Sequence, residues 1–283
     1  MSNGAAETLT ENTVRRFRET WLSNWRENWP RLKGLPGIKR WFGRFEGVPA
    51  LVVNAGPSLE KDLAEIWEYR DRFLTICVDR AYPRMLAGGV SPHVTISLDS
   101  SEVVAGWFAD RERGDLTCVV PWQSPRLIQA VPMRDTVPYT EWNPDVSIWR
   151  DIAEESFGSR DAQAQFDYFG ALLPGGTVGN VACDLAVKMG CDPVIFVGLD
   201  LCYRITADEF GNRRAETIPA FDAARAWYED EFFPTFKKRY VNCSGSSTLR
   251  RGCELKRFSE AAKEMALSEP RNFAWELRRR LRP

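Results

Sequence analysis

The chain reads as an α/β protein, a Rossmann-like, doubly wound, mostly parallel sheet preceded by an N-terminal amphipathic helical extension. Three observations predict this. From about residue 47, short apolar runs rich in β-branched residues alternate with helical patterns of about ten residues, which is the signature of βαβ units. The runs are continuously apolar, as strands covered on both faces are. Several of them end in a lone Asn or Asp just before a helix begins, where α/β sheets bind their ligands.

In chain order, ENTVRRFRETWLSNWRENWPRL places Val14, Phe17, Trp21 and Trp25 at helical spacing and predicts one amphipathic helix ending near Pro30. Such a helix packs on the main domain; its Trp-rich stripe, with Arg and Lys nearby, would also suit a membrane surface or a dimer contact, so a homo-oligomer stays open. PALVVNAG is a strand, LEKDLAEIWEYRDR a helix, FLTICVD a strand, RAYPRMLAGG a short helix ended by glycines, and HVTISLD a strand. LTCVVPW and the weaker VSIW are further strand candidates, VGNVACDLAVKMG is a helix, and PVIFVGLDLCY is a strongly apolar strand. The domain boundaries that follow are a helical extension over 1–46, a Rossmann-type nucleotide-binding domain over 47–265, and a basic C-terminal tail or helix over 266–283.

Composition narrows the function classes. With 283 residues, 44% hydrophobic and 27% charged, the chain can bury a large core, and a net charge of −1 gives no global attraction to nucleic acid. No aromatic-rich basic face appears either, so nucleic acid is not an expected partner. Seven cysteines stand singly without a CxxC pair, which reads as reduced core thiols rather than a disulfide framework or structural zinc. A polar N-terminus and the lack of any long apolar segment predict a cytoplasmic protein with no transmembrane segment.

The strand ends carry the candidate chemistry. Asn54, Asp79, Asp99 and Asp200 each follow an apolar run and would gather at the carboxyl edge of the sheet. After Asn54, Gly56 lets backbone approach a ligand, Pro57 fixes the turn, and Ser58 with the first helical N–H groups, beginning at Leu59, can face a phosphate. A capped βα turn with no ligand accounts for the same residues. A second small-residue start, Gly175-Gly176-Thr177 followed by Gly179-Asn180, offers another helix end, with Thr177 and Asn180 able to bond a base, ribose or phosphate. Two such starts suggest a nucleotide held from two sides. His93, the one histidine, precedes its strand at the end away from the carboxyl edge and reads as structural. The stretch RITADEFGNRRAETIPAFDAARAWYEDEFF begins as a polar loop, turns helical near Phe221, and is a lid or acceptor-site candidate.

In this order and spacing NAGPSL, CVDRAYPRMLAGGVSPHVTISLDSS and GGTVGNVACDLAVKMGCDPVIFVGLDLCY resemble the MptE-like family over roughly residues 45–265. Its members include archaeal 6-hydroxymethyl-7,8-dihydropterin diphosphokinases and the central domain of bacterial motility accessory factors (Maf), implicated in glycosylating flagellin with nonulosonic acids. VNCSGSSTLRRGCELKRFSEA looks like the strand, small-residue loop and helix that close the domain in the Maf type. A more distant similarity is to bacterial sialyltransferases that use CMP-sialic acid. On that pattern Asn54, Gly56 and Ser58 would face the nucleotide phosphate, Asp79 would replace a second-strand asparagine, and Gly175 to Asn180 with Asp200 would complete the pocket. Tyr203, in GLDLCY, joins this nucleotide set. Those transferases carry a histidine as general base where this chain offers Tyr168.

The resemblance therefore implies a nucleotide-dependent transferase, a Maf-type glycosyltransferase moving a nonulosonate from a CMP-linked donor, with Asp99 or Asp200 as base or Tyr168 assisting the leaving phosphate. The alternative is a magnesium- and ATP-dependent diphosphokinase acting on a pterin-like alcohol, with Asp79, Asp99 and Asp200 available to the metal. The third reading is a nucleotide-binding protein without catalysis. The acceptor would be a protein, a glycan or a pterin.

Overall fold

A computed structural model describes residues 3–101, 103–108, 117–121, 124, 135–142, 147–161, 163–207, 213–268 and 274–281. The strands are β1 (Ala50–Val53), β2 (Leu74–Val78), β3 (Val94–Ile96), β4 (Thr117–Pro121), β5 (Asp135–Glu141), β6 (Ala171–Leu172), β7 (Val194–Val197), β8 (Arg204–Ala207), β9 (Arg213–Glu216), β10 (Tyr240–Asn242) and β11 (Glu254–Leu255). The helices are α1 (Asn3–Leu32), α2 (Leu59–Tyr69), α3 (Tyr82–Ala87), α4 (Val103–Phe108), α5 (Ser147–Phe157), α6 (Gln163–Phe169), α7 (Val178–Lys188), α8 (Pro219–Ala226), α9 (Phe233–Thr235), α10 (Phe258–Ser268) and α11 (Ala274–Leu281). A π-helical turn, Trp227–Phe232, joins α8 to α9. The chain forms two compact units, Trp41–Ile96 with Gly175–Pro283, and Met1–Arg40 with Ser97–Pro174.

The first of these units is the Rossmann-like, doubly wound part. Its strands run β11-β10-β7-β1-β2-β3, and every pairing is parallel. β1 is central, with Ala50 opposite Leu74 of β2 on one side and Val194 of β7 on the other. After β1 the chain adds β2 and β3 on one flank, then crosses to add β7, β10 and β11 on the other. The direction of winding thus reverses between β1 and β7, and the crevice outside their carboxyl ends is where such sheets take ligands. The residues of β1, β2, β3, β7 and β10 are all buried, which explains their unbroken apolar sequences. α7 is buried from Gly179 to Val187; within it Asp184 pairs with Lys188 at 2.8 Å. The basic end of the chain is a docked helix: Leu277 and Leu281 of α11 are buried, and the Trp41 indole donates to the Leu281 carbonyl at 3.0 Å. β8 and β9 form an antiparallel hairpin after β7. Residues 208–212 of the expected lid, between these two strands, lie outside the described residues.

The second unit holds β4-β5-β6, again parallel, and the long α1. Leu22, Trp25 and Leu32 of α1 are buried with Ile148, Trp149 and Ile152 of α5 and Phe166 and Phe169 of α6. Trp21 stacks on Trp149 at 6.3 Å, and Arg26 pairs with Glu155 at 2.8 Å. α1 ends at Leu32, near Pro30 as the sequence suggested, and the Leu32 side chain, fully buried, anchors its last turn. The VSIW strand candidate is corrected: Ser147–Phe157 is helical, with Ile148, Trp149, Ile152 and Ala153 buried at helical spacing, a period that four residues cannot display. Trp149→Ala is expected to lower the unfolding free energy by about 3–5 kcal/mol in urea titrations, since it empties the centre of this cluster.

Candidate functional site

The junction outside β1 and β7 is built by glycine. Strand pairing continues past both strands, with the Asn54 N–H on the Val197 carbonyl at 2.9 Å and the Gly56 N–H on the Gly198 carbonyl at 2.8 Å. A Cβ on Gly56 would stand 2.3 Å from Asp200 Oδ2, one on Gly198 2.3 Å from the Asn54 carbonyl oxygen, and one on Gly179 2.2 Å from Asn54 Oδ1. Gly198 also has φ +64°, a conformation that disfavours any side chain. Segments 54–58, 179–180 and 198–200 therefore touch, and the structure brings Asn54, Gly56, Ser58, Gly179, Asn180 and Asp200 to one edge.

The amino end of α2 is closed by this contact. Asp200 Oδ2 accepts the Ser58 N–H at 2.8 Å, so the cap of α2 comes from the end of β7. Ser58 makes no side-chain cap, and the Leu59 N–H goes to the Gly56 carbonyl at 3.2 Å. An anion arriving here meets a carboxylate already in place. The Ser58 hydroxyl and Asp200 Oδ1 are both buried without a hydrogen-bond partner in the protein. Arg84 donates to the carbonyls of Ala55 and Gly56 and pairs with Glu60 at 3.2 Å, so the Ala55-Gly56-Pro57 turn is held from α3.

The second helix start differs. Thr177 is extended and caps α7; its Oγ1 accepts the Asn180 N–H at 3.4 Å and donates to Asn180 Oδ1 at 2.5 Å. Asn180 in turn donates Nδ2 to the Ala224 carbonyl at 3.3 Å, so its side chain holds the loop together. Gly175 and Gly176 take φ of +47° and +99°, and a Cβ on Gly175 would strike Asn180 at 2.5 Å and the Trp227 ring at 2.8 Å. The N–H groups of Val178 and Gly179 open the helix where no intrahelical acceptor exists. The cap of α7 thus comes from the helix's own first residues, whereas that of α2 comes from Asp200.

The turn carrying Asp200 is gripped by the segment after β10. The Leu199 N–H donates to Ser244 Oγ at 2.8 Å, Ser247 Oγ donates to the Leu199 carbonyl at 2.6 Å, and the Thr248 N–H donates to the Asp200 carbonyl at 2.9 Å. Leu201, next in the chain, has φ +51°. Asp79 ends β2 buried, its Oδ1 accepting the Arg80 N–H at 2.6 Å. Tyr203 is exposed, with its ring 5.5 Å from Phe221. Asp62, in the first turn of α2, is pushed up to about 6 by burial, with Glu65 and Asp200 adding to the shift against Lys61.

Other candidates lie elsewhere. Asp99 belongs to the second unit, is exposed, and accepts the Ser101 N–H at 2.8 Å. Tyr168, also in that unit, donates its hydroxyl to the Lys33 carbonyl and packs its ring 5.8 Å from Trp29. His93 is buried, takes the Thr75 N–H on Nδ1 at 3.1 Å, and is held down to about 3, by burial first and by Arg278 second. It is neutral at ordinary pH, as a structural residue should be. The seven cysteines are free, and six of them are buried. Among the described residues no three His, Cys, Asp or Glu side chains converge as a metal cage would require, and no helix is long and apolar enough to cross a membrane.

Gly198, Arg84, Ser244, Ser247 and Thr248 were not singled out by sequence. The run SGSST was the available signal, a cluster of hydroxyls after an apolar strand.

A parallel sheet with a winding reversal, two glycine-lined helix starts and a buried Asp at the switch point define a Rossmann-like domain. The chain belongs to the MptE-like family, described as 6-hydroxymethylpterin diphosphokinase MptE-like, which it matches over residues 23–206. Its fold is similar to that of the MAf glycosyltransferase from Magnetospirillum magneticum AMB-1, with a TM-score of 0.59 and 18% identity, covering 82% of this chain and 40% of that one. An uncharacterized protein of Treponema pallidum (strain Nichols) is 40% identical over 50 residues, 18% of this chain and 24% of that protein. The chain thus spans less than half the length of either relative.

Two outcomes are expected. Gly198→Ala should cost at least about 2 kcal/mol in urea unfolding, because the left-handed backbone and the Asn54 carbonyl both oppose a methyl group. For Asp62, a folded value of about 6 lies above the ordinary 3.8, so its stabilisation is complete below 3.8 and lost as pH rises through 6. His93 acts in the opposite sense, costing stability as pH falls below 6.5. The difference between wild type and Asp62→Asn separates the two. The asparagine variant should gain more over wild type at about pH 7 than at about pH 4.5, and equal differences would show that Asp62 is not held up.

Proposed function

We propose that the chain is a nucleotide-dependent transferase that moves a nonulosonate sugar from a CMP-linked donor to an acceptor hydroxyl. The observation that carries this reading is the pair of buried, unpartnered polar atoms, Ser58 Oγ and Asp200 Oδ1, at the switch point of a sheet whose neighbouring helix start on α7 suits an anion. The fold likeness to the MAf glycosyltransferase of Magnetospirillum magneticum AMB-1 supports the sugar-transfer version.

On this reading the donor phosphate lies against the Val178 and Gly179 N–H groups, where the helix end favours negative charge. Transfer breaks the bond between the anomeric carbon and the phosphate oxygen, and the electron pair leaves with CMP. The acceptor oxygen bonds to that carbon, and its proton passes to Asp200 Oδ1, whose partner oxygen is fixed by Ser58. His93 is not needed. Asp99 and Tyr168 are carried by the other unit and play no part in this scheme. Where magnesium is bound, Asp200 Oδ1 is the carboxylate oxygen at this edge lacking a protein partner, and the ion would offset phosphate charge.

The test is nucleotide binding followed by turnover. CMP at about 100 times its Kd should stabilise the protein by about 2.7 kcal/mol in thermal unfolding, with AMP, UDP and GDP weaker. Asp200→Asn keeps an oxygen for the Ser58 N–H and should retain the fold and CMP binding while losing transfer from a CMP-nonulosonate. Selective, magnesium-dependent stabilisation by ATP would instead favour pyrophosphate transfer to a pterin-like alcohol, and CMP binding without turnover would favour a non-catalytic nucleotide-binding protein.

A further inference from the structure

Glu229 sits in the π-helical turn between α8 and α9, within the stretch read from sequence as a lid or acceptor-site candidate, and its side chain is 2% exposed. Its carboxylate accepts four hydrogen bonds and makes a further ion-pair contact with Arg251 Nη2. Oε1 takes the N–H groups of Arg250 and Arg251, each at 3.0 Å. Oε2 takes Arg251 Nε at 3.1 Å, Arg251 Nη2 at 3.0 Å and Arg225 Nη1 at 3.1 Å. Burial, the largest influence, pushes its pKa up, but the two backbone N–H groups and the two guanidinium groups outweigh it and hold the carboxyl below its ordinary range. An anion so fully engaged is a fixed post, not a titrating group.

Arg250 and Arg251 belong to the same segment as Ser244, Ser247 and Thr248, which hold Leu199 and Asp200 by three hydrogen bonds. Leu201 there is in a left-handed conformation that an isolated leucine would leave, so the surrounding contacts must maintain it. The same helical run supports the other half of the site, since Ala224 accepts from Asn180 and Trp227 packs under Gly175. π-helical turns recur at functional sites, where the extra residue re-aims side chains.

We propose that Glu229 is a positioning residue for Asp200, acting through the 244–251 segment, so that donor recognition depends on a carboxylate that touches no part of the donor. The proposal rests on the transferase reading for its ligand arm only. Glu229→Ala removes the post; Glu229→Gln keeps an oxygen for both backbone N–H groups and removes only the charge.

Hydrogen exchange resolved by peptide is the measurement, with CMP titration alongside. In Glu229→Ala, peptides spanning 196–203 and 243–252 should exchange about tenfold faster while the rest of the protein keeps its protection, and CMP affinity should fall about tenfold. Glu229→Gln should restore most of both. Unchanged exchange at 196–203 in folded Glu229→Ala would overturn the proposal, as would acceleration spread evenly over the chain, or a glutamine variant no better than alanine. If the wild-type protein ignores CMP, the donor reading fails, and the exchange arm still decides the role of Glu229.

Discussion

The site depends on one hydrogen bond, from the Ser58 N–H to Asp200 Oδ2. It ties the start of α2 to the end of β7 and sets the spacing of the crevice between β1 and β7. A hydrogen bond to a charged acceptor contributes about 1.5–3 kcal/mol, and here it also satisfies a helix-end donor in a buried place. Everything around it adapts to bring the two backbones close: Gly56 has no Cβ to strike the carboxylate, and Gly198 turns back under Asn54. Because Asp200 occupies this helix end, the two glycine-rich starts, alike in sequence, are unlike in chemistry. One is capped by a carboxylate from the end of β7, and the other by its own Thr177.

The fold was legible because its signals are local and strong. Unbroken runs such as LTICV and VIFV can be buried on both faces only in a parallel sheet, and they appear there as β2 and β7. Signals failed where they were short or tertiary. VSIW has too few residues to show a helical period, and β6 has two residues and is defined by its pairing with β5.

The candidate site was legible in its residue types but not in their partners. The segments holding Asn54, Gly56, Ser58, Gly179 and Asp200 touch, whereas Asp99, another of the four strand-end residues, is exposed and belongs to the second unit. Gly56 was expected to admit a ligand, yet its nearest neighbour is Asp200; Asn180 was expected to face a ligand, yet it bonds Thr177 and Ala224. No local rule could have paired residues 58 and 200, or placed Glu229 beneath Arg250 and Arg251. Such pairings follow from strand order, which a single sequence expresses only through its whole pattern.

The same long-range cap has a consequence for how the chain acquires its shape. The two partners are 142 residues apart, so the first βα unit leaves the ribosome with its helix start unfinished and waits for the end of β7. The β1–β7 pairing, with Val53 opposite Val197, closes the same large loop, so strand pairing meets its entropy cost and the cap then forms locally. The amino end of α2 is therefore completed only once β1 and β7 have paired.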